Sequence, residues 1–263
     1  MTEAKPLSSE QRDAFARDGV LRLEGLLPAD AVARARAAVL EPLRDLGLWD
    51  GAAWRLEAAA RVKVSRDIGH KRPEVEALIA QPAVLAVVDD LLEGRAFDRT
   101  VYRRPQILFS LPDASTWSLP AGWHTDCPRL ASGEAPGVQL FTFLEPVEAG
   151  GGGTVVVAGS HRLLNDGRDL KPREINRDLR REAFFRRLYA PAGAGLPSGA
   201  VGGVPVRVVE LTGRPGDAWI IDLRCLHSAA VNAADRLRMM VTHRFPRADL
   251  MGEVAAAYGW AGA

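Results

Sequence analysis

The sequence has few cysteines, almost no net charge and no long apolar segment, and each shortage argues against a class of protein. Among its 263 residues are two cysteines, Cys127 and Cys225, too few for a disulfide framework. The formal net charge is +1, so no overall basic field predicts binding to nucleic acid or to a membrane surface. We find no N-terminal signal-peptide pattern and no run near the ~18 apolar residues that a transmembrane helix needs. We therefore expect a cytoplasmic protein without nucleic-acid or membrane partners.

The rest of the composition is ordinary for a globular protein, with 47% hydrophobic and 25% charged residues. No internal repeat or linker divides the chain, so we predict one domain over 1–263. Helical spacing of apolar residues prevails over about 8–93, and it begins at a capping-box sequence that starts at Ser8. Short, unevenly spaced strands prevail over about 100–247. This order predicts a mainly β jelly roll of two sheets, with the N-terminal helices packed on one of them.

Residues 163–203 interrupt the strand pattern. We expect a helix from Arg173 to about Tyr189 and a Gly/Pro-rich loop after it. Segment 162–189 holds nine Lys or Arg against five Asp or Glu, in a chain whose net charge is only +1. A long insertion in a compact domain is commonly functional. Two interpretations stay open: a mobile lid that helps to select an anionic substrate, and a solvated helix whose charges pair with one another.

The chemistry is concentrated in His124-Thr125-Asp126 and in a second stretch far downstream. On an extended strand, His124 and Asp126 project from the same face. The second stretch is an apolar strand that follows Gly216-Asp217 and ends in His227. Two histidines and one carboxylate on one face of an octahedral ion leave three positions open, which suits non-haem Fe(II) that must bind O2 together with an organic co-substrate. Arg238, on the next strand, can hold a carboxylate of such a co-substrate.

Several further motifs occur in a fixed order around these residues. They are the opening Ser9-Glu10-Gln11 with Asp18-Gly19-Val20, the Trp-His-Thr-Asp block, Gly151-Gly152-Gly153-Thr154, Gly159-Ser160-His161-Arg162, and the closing Gly-Asp, His and Arg. With these motifs most of the chain resembles the phytanoyl-CoA dioxygenase family. The resemblance implies a double-stranded β-helix, the cupin-like form of the jelly roll. It also implies Fe(II), with 2-oxoglutarate and O2 as co-substrates.

The resemblance further implies the reaction. Such enzymes decarboxylate 2-oxoglutarate to succinate and CO2 while they oxidise a small organic substrate, often in natural-product or secondary metabolism. Hydroxylation is the usual outcome, while desaturation, epoxidation and cyclisation stay open. Related halogenases have a small residue in place of the acid, so Asp126 disfavours halogenation. The substrate itself and the oligomeric state are not predicted.

The roles of individual residues also follow from the resemblance. His124, Asp126 and His227 are the expected iron ligands. Arg238 has the family's spacing from the second histidine and is the expected partner of 2-oxoglutarate. Arg236 remains the alternative, because both arginines lie on one face of an extended segment.

Weaker expectations concern other polar residues. Gln106 and Thr142 are where the family often places contacts to the co-substrate. His161 is interpreted as a structural residue or one that supports the site, and His70 as a histidine of a surface loop. Cys127 and Cys225 are interpreted as small apolar residues near the metal, with a zinc–thiolate site as the alternative.

Two other classes of function remain open. One is a jelly-roll binding or sensory protein that has lost oxidation chemistry, and the intact triad with an arginine argues against it. The other is a metal-dependent hydrolase that uses the same three ligands, for which Arg238 would have no purpose.

Overall fold

The computed structural model of the protein describes residues 6–55, 72–101, 104–112, 116–189 and 195–259. His70 lies outside these ranges. In this part of the chain, no helix combines the length and apolarity needed to cross a membrane.

The chain begins with helices and continues mainly with strands. The helices are α1 (Ser9–Asp18), α2 (Ala29–Asp45), α3 (Pro73–Ile79), α4 (Pro82–Leu91), α5 (Pro172–Leu179), α6 (Ala183–Leu188) and α7 (Met251–Tyr258), with 3-10 turns at Ser160–Arg162 and Ala248–Leu250. The strands are β1 (Val20–Leu23), β2 (Gln106–Ser110), β3 (Gly137–Phe143), β4 (Thr154–Ala158), β5 (Ser198–Val201), β6 (Val204–Glu210), β7 (Ala218–Asp222), β8 (His227–Ala229) and β9 (Arg238–Pro246).

Two antiparallel sheets share one buried core. The first has the strand order β1-β7-β3-β9-β2 and the second β5-β6-β4-β8. Phe141, Ile221 and Met240 from the first sheet form one apolar cluster with Val156 and Ala158 from the second. The mainly β, double-sheet prediction is confirmed.

The N-terminal helices cover the outer face of the five-stranded sheet. Alternation along β3 and β9 turns Leu140 and Val241 to this face, where they pack with Val39, Leu78 and Val88 of the helices. The predicted capping box at Ser8 is present at the start of α1. As expected, the helical region supports the sheet and leaves its inner face free for the site.

The described residues of the 163–203 segment pack against the four-stranded sheet. Two short helices, α5 and α6, replace the single predicted helix, and β5 forms where a loop was expected. Ile175 and Phe185 are fully buried and pack with Val155 and Val208 on the outer face of the four-stranded sheet. Because this apolar face is part of a core, α5 and α6 form an outer layer on this sheet. The outward charges of the segment pair locally, as in the contact of 3.4 Å between Arg181 Nη1 and Asp178 Oδ1.

Candidate metal centre

The two histidines of the predicted triad are brought together by backbone pairing. His227 begins β8, whose neighbour is β4, with Val156 opposite His227. His124 lies outside the regular strands and forms an isolated antiparallel bridge to His227, with N–H···O bonds of 2.9 Å in both directions. The expected strand at 124–126 is therefore reduced to a single bridge, but that bridge fixes the two imidazoles side by side.

His124, Asp126 and His227 form a compact set of candidate ligands. Their ligand atoms lie within 4.8 Å of one another, and no other group of three or more His, Cys, Asp or Glu in the described residues does so. His124 Nε2 is 3.9 Å from Asp126 Oδ1, and His227 Nε2 is 3.5 Å from Asp126 Oδ2. The His227 side chain is 5% exposed and that of His124 is 49% exposed, so the site opens on the His124 side.

Both imidazoles are oriented by a hydrogen bond to a backbone carbonyl. His124 Nδ1 is 2.9 Å from the carbonyl oxygen of Gly122, and His227 Nδ1 is 3.1 Å from that of Cys225. A carbonyl can only accept, so each Nδ1 carries the proton and each Nε2 keeps a free lone pair. A hydrogen bond from the ring nitrogen that does not bind the metal is typical of metal-binding histidines, because it fixes the tautomer and the ring orientation.

The protonation states also suit a metal ion. Burial lowers the pKa of His227 to about 4, although Asp126 opposes the effect. Burial alone would raise the pKa of Asp126, but the charge that His227 gains in acid and the hydrogen bond and charge of Arg244 hold it below its ordinary value. At neutral pH the pair is therefore a neutral imidazole beside a carboxylate, the forms in which both groups bind metals.

Arg244 is a site residue that the sequence reasoning missed. It projects from β9 and its Nε donates to Asp126 Oδ2 at 2.6 Å, with both side chains largely buried. Its Nη1 donates to Gln106 Oε1 at 3.3 Å. The sequence feature that could have identified Arg244 is its even spacing from Arg238, which puts both residues on one face of a strand.

Arg238 has the environment of a binding residue. It opens β9 opposite Ser110 and faces the interior between the sheets, on the same side as Met240. The residue is 5% exposed, its Nε has no hydrogen-bond partner among the described residues, and its Nη1 lies 3.9 Å from Met240 Sδ. Burial lowers its pKa to about 10. The Arg236 side chain, by contrast, is half exposed, and its Nε lies 3.8 Å from Asp235 Oδ1.

The structure places the two weaker co-substrate candidates on opposite faces of the first sheet. Thr142 is on the outer face of β3, opposite in direction to Phe141, and its hydroxyl donates to the Asp217 carbonyl at 2.8 Å. The structure therefore does not bring Thr142 to the triad. Gln106 does face the site, but its side-chain oxygen is used by Arg244.

The Gly-Ser-His-Arg motif braces the strand that delivers His227. The Ser160 hydroxyl accepts from Leu226 N at 2.9 Å, one residue before His227, and donates to Val157 O at 2.6 Å. His161 Nε2 contacts the Ala16 carbonyl of α1 at 3.1 Å. These contacts agree with a supporting role for His161.

The cysteines do not fit a thiolate site. Cys127 and Cys225 are both buried free thiols, and burial raises the pKa of each to about 12. A zinc site needs the thiolate form. The two residues instead behave as small apolar side chains, and Cys225 belongs to the core between the sheets.

Comparison with known proteins agrees with the sequence resemblance. The family described as phytanoyl-CoA dioxygenase (PhyH) matches residues 15–240. Uncharacterized proteins from Mycobacterium bovis and Mycobacterium tuberculosis are each 25% identical over 197 residues, or 73% of this chain. The chain spans 59% of the length of these two relatives.

Solved structures share the fold at low sequence identity. The non-heme α-ketoglutarate-dependent carbocyclase SnoK from nogalamycin biosynthesis is 20% identical, with a TM-score of 0.60 over 94% of this chain and 87% of SnoK. EctD from S. alaskensis with 2-oxoglutarate and 5-hydroxyectoine is 18% identical, with a TM-score of 0.56 over 95% and 79%. HygX from Streptomyces hygroscopicus, with nickel and 2-oxoglutarate bound, is 15% identical, with a TM-score of 0.57 over 92% and 88%. The shared architecture is the jelly roll expected from the sequence.

Proposed function

Because the chain belongs to the phytanoyl-CoA dioxygenase family, we propose that it is an Fe(II)- and 2-oxoglutarate-dependent oxygenase that hydroxylates a small organic substrate. The observation that carries the proposal is the combination of the three candidate ligands with a buried Arg238 between the sheets, whose Nε has no partner in the described part of the chain. Bound iron and 2-oxoglutarate would supply the oxidising chemistry, in which O2 and 2-oxoglutarate give succinate and CO2 while the substrate is oxidised.

In this proposal His124 and His227 hold iron through Nε2, and Asp126 holds it through a carboxylate oxygen. The three come from one side of the site, which leaves positions for two atoms of the co-substrate and for O2. The exposed edge at His124 is then the entrance for the substrate, and the buried edge at His227 is closed by Phe141, whose ring centre lies 6.4 Å from that of the imidazole.

The buried Arg238 favours 2-oxoglutarate, which carries carboxylates, over a neutral molecule as the ligand between the sheets. An unpaired guanidinium is expensive to bury, and a carboxylate removes much of that cost through two charge-assisted hydrogen bonds. The C5 carboxylate of 2-oxoglutarate is such a partner, while its keto and C1 oxygens would point to the metal. A metal-dependent hydrolase or a sensor for a neutral ligand has no use for a cation at this position.

The type of oxidation and the substrate class are the finer parts of the proposal. Among the structural neighbours, SnoK is named a carbocyclase, SnoN an epimerase, and EctD is described with 5-hydroxyectoine, so this fold carries several outcomes. Asp126 keeps the carboxylate that related halogenases lack, which supports oxygenation over halogenation. We place the substrate among small molecules of secondary metabolism.

The test is iron-dependent turnover of 2-oxoglutarate. The purified protein is supplied with Fe(II), ascorbate, O2 and 2-oxoglutarate, alone and with a panel of small substrates, and succinate is measured. We expect slow succinate formation without substrate and faster formation with an accepted one, both abolished in His227→Ala. A protein that binds iron but forms no succinate under any of these conditions would contradict the proposal.

A further inference from the structure

Arg244 and Gln106 form a short chain of hydrogen bonds that ends on one oxygen of Asp126. Arg244 Nε is 2.6 Å from Asp126 Oδ2, and Arg244 Nη1 is 3.3 Å from Gln106 Oε1. The Arg244 side chain is 15% exposed and that of Asp126 is 11% exposed. A charge-assisted bond at this distance and burial is among the stronger interactions that orient a side chain.

The contact distinguishes the two carboxylate oxygens. Oδ2 accepts a hydrogen bond from Arg244, whereas Oδ1 faces His124 and accepts none from the described residues. A carboxylate that binds a metal through both oxygens would use one position more than a facial triad provides. The arginine therefore favours binding through Oδ1 alone and keeps three positions open.

Strand register explains why both cations of the site come from β9. Gln106 is paired with Thr242 across β2 and β9, next to Arg244, and Ser110 is paired with Arg238. Arg238 and Arg244 are six residues apart, an even number, so both side chains project from the interior face of β9. One strand thus sets both the co-substrate end and the metal end of the site.

We propose that Arg244, held by Gln106, is a positioning residue that fixes Asp126 in a one-oxygen binding mode and so tunes metal binding. The inference rests on the proposed function, since it assigns Asp126 to the metal. Removal of an outer partner of a metal ligand typically costs about 10–100-fold in metal affinity. We expect Arg244→Gln to weaken metal binding within that range, and Gln106→Ala to weaken it less.

The experiment measures binding of Co(II) alone to metal-free protein by its visible absorption, in the absence of 2-oxoglutarate. The variants are Arg244→Gln, Arg244→Lys and Gln106→Ala. Arg236→Gln is the matched control, because it removes an exposed arginine near the start of the same strand. Thermal unfolding of each metal-free variant shows whether it is folded. A second titration with 2-oxoglutarate then measures its affinity for each Co(II)-loaded protein.

The expected result is a raised Co(II) dissociation constant and an altered Co(II) spectrum in Arg244→Gln, with partial recovery in Arg244→Lys and no change in Arg236→Gln. Wild-type affinity and spectrum in a folded Arg244→Gln variant, or tighter Co(II) binding, would overturn the inference. If Arg244→Gln does not fold, the same criteria apply to Arg244→Lys and Gln106→Ala. Weaker Co(II) binding in these two variants supports the inference, and wild-type affinity and spectrum in both overturn it. If wild-type protein itself binds no Co(II), the proposed function fails, which is a distinct outcome.

Discussion

Replacement of Arg238 by methionine should stabilise the protein while it impairs binding of 2-oxoglutarate. Arg238 is 5% exposed, its Nε finds no hydrogen-bond partner within the described ranges, and its Nη1 lies 3.9 Å from a methionine sulfur. Methionine has a similar length and no charge, so it can occupy the same space among apolar neighbours. Opposite effects on stability and on co-substrate affinity are the signature of a residue kept for binding.

The size of the stability effect follows from the pKa of Arg238, which burial lowers to about 10. Relative to the ordinary value for arginine, this corresponds to roughly 3 kcal/mol of cost for burying the charge at neutral pH. The cost is fully present below pH 10 and would fall only at higher pH, because the folded state there binds fewer protons than the unfolded state. Loss of methylene packing and an imperfect fit offset part of the gain, so we expect about 1–3 kcal/mol.

The effect on binding has the opposite sign. Loss of a charge-assisted, two-bond contact should weaken 2-oxoglutarate binding by roughly 1.5–3 kcal/mol, or about ten- to a hundredfold. The assays are urea unfolding of the metal-free proteins and calorimetric titration of 2-oxoglutarate into the Mn(II)-loaded proteins. Arg236→Met serves as the control and should change neither quantity. A destabilised Arg238→Met variant that keeps wild-type affinity for 2-oxoglutarate would refute the reasoning.

Three further predictions concern the fold and the buried histidine. The pKa of His227 in the folded metal-free protein is about 4, so between pH 6.5 and 4 the unfolded state takes up a proton that the folded state does not. The folded state therefore loses stability as the pH falls through this range. In His227→Gln, urea unfolding should show a loss that is smaller by roughly 2–3 kcal/mol. Gly19→Ala should lower the free energy of unfolding by about 2–4 kcal/mol, because Gly19 has φ of +66° and a Cβ there would clash with the imidazole ring of His161 and the sulfur of Cys225. An unchanged Tm would contradict this. Phe185→Ala should cost about 3–5 kcal/mol because the ring is fully buried, whereas a loss below about 1 kcal/mol would restore the mobile-lid interpretation.

Much of the fold and the centre of the site could be predicted from the sequence. Apolar periodicity identified the helices before Glu93 and most of the strands, because their buried faces follow the period of the element. The His124–Asp126 spacing and the distant His227 identified the triad, since few functions need these three side chains in this order. The pairing that joins them, a single bridge between His124 and His227, is a tertiary feature with no local signal.

The remaining site residues depend on register and on which face a strand presents. Thr142 and Phe141 are neighbours in sequence and face opposite sides of β3, which the sequence alone did not assign. Arg236 and Arg238 have the same parity, and the sequence does not show that β9 starts at Arg238, which is buried, while Arg236 before it is half exposed. Arg244 reaches Asp126 across 118 positions of sequence, so its role appears only once the strands are paired. The helices at 172–188 resembled a polar insertion because their charges outnumber the few apolar residues that anchor them.

The central claim is that His124, Asp126 and His227 hold Fe(II) beside an Arg238 that binds 2-oxoglutarate. It is tested most directly by anaerobic titration of Fe(II) into metal-free protein with 2-oxoglutarate, followed through the visible charge-transfer absorption of the iron–keto-acid complex. We predict that the absorption saturates at one Fe(II) per chain, is lost in His227→Ala, and needs about ten- to a hundredfold more 2-oxoglutarate in Arg238→Met. Wild-type protein that binds Fe(II) and yet develops no such absorption at saturating 2-oxoglutarate would contradict the account.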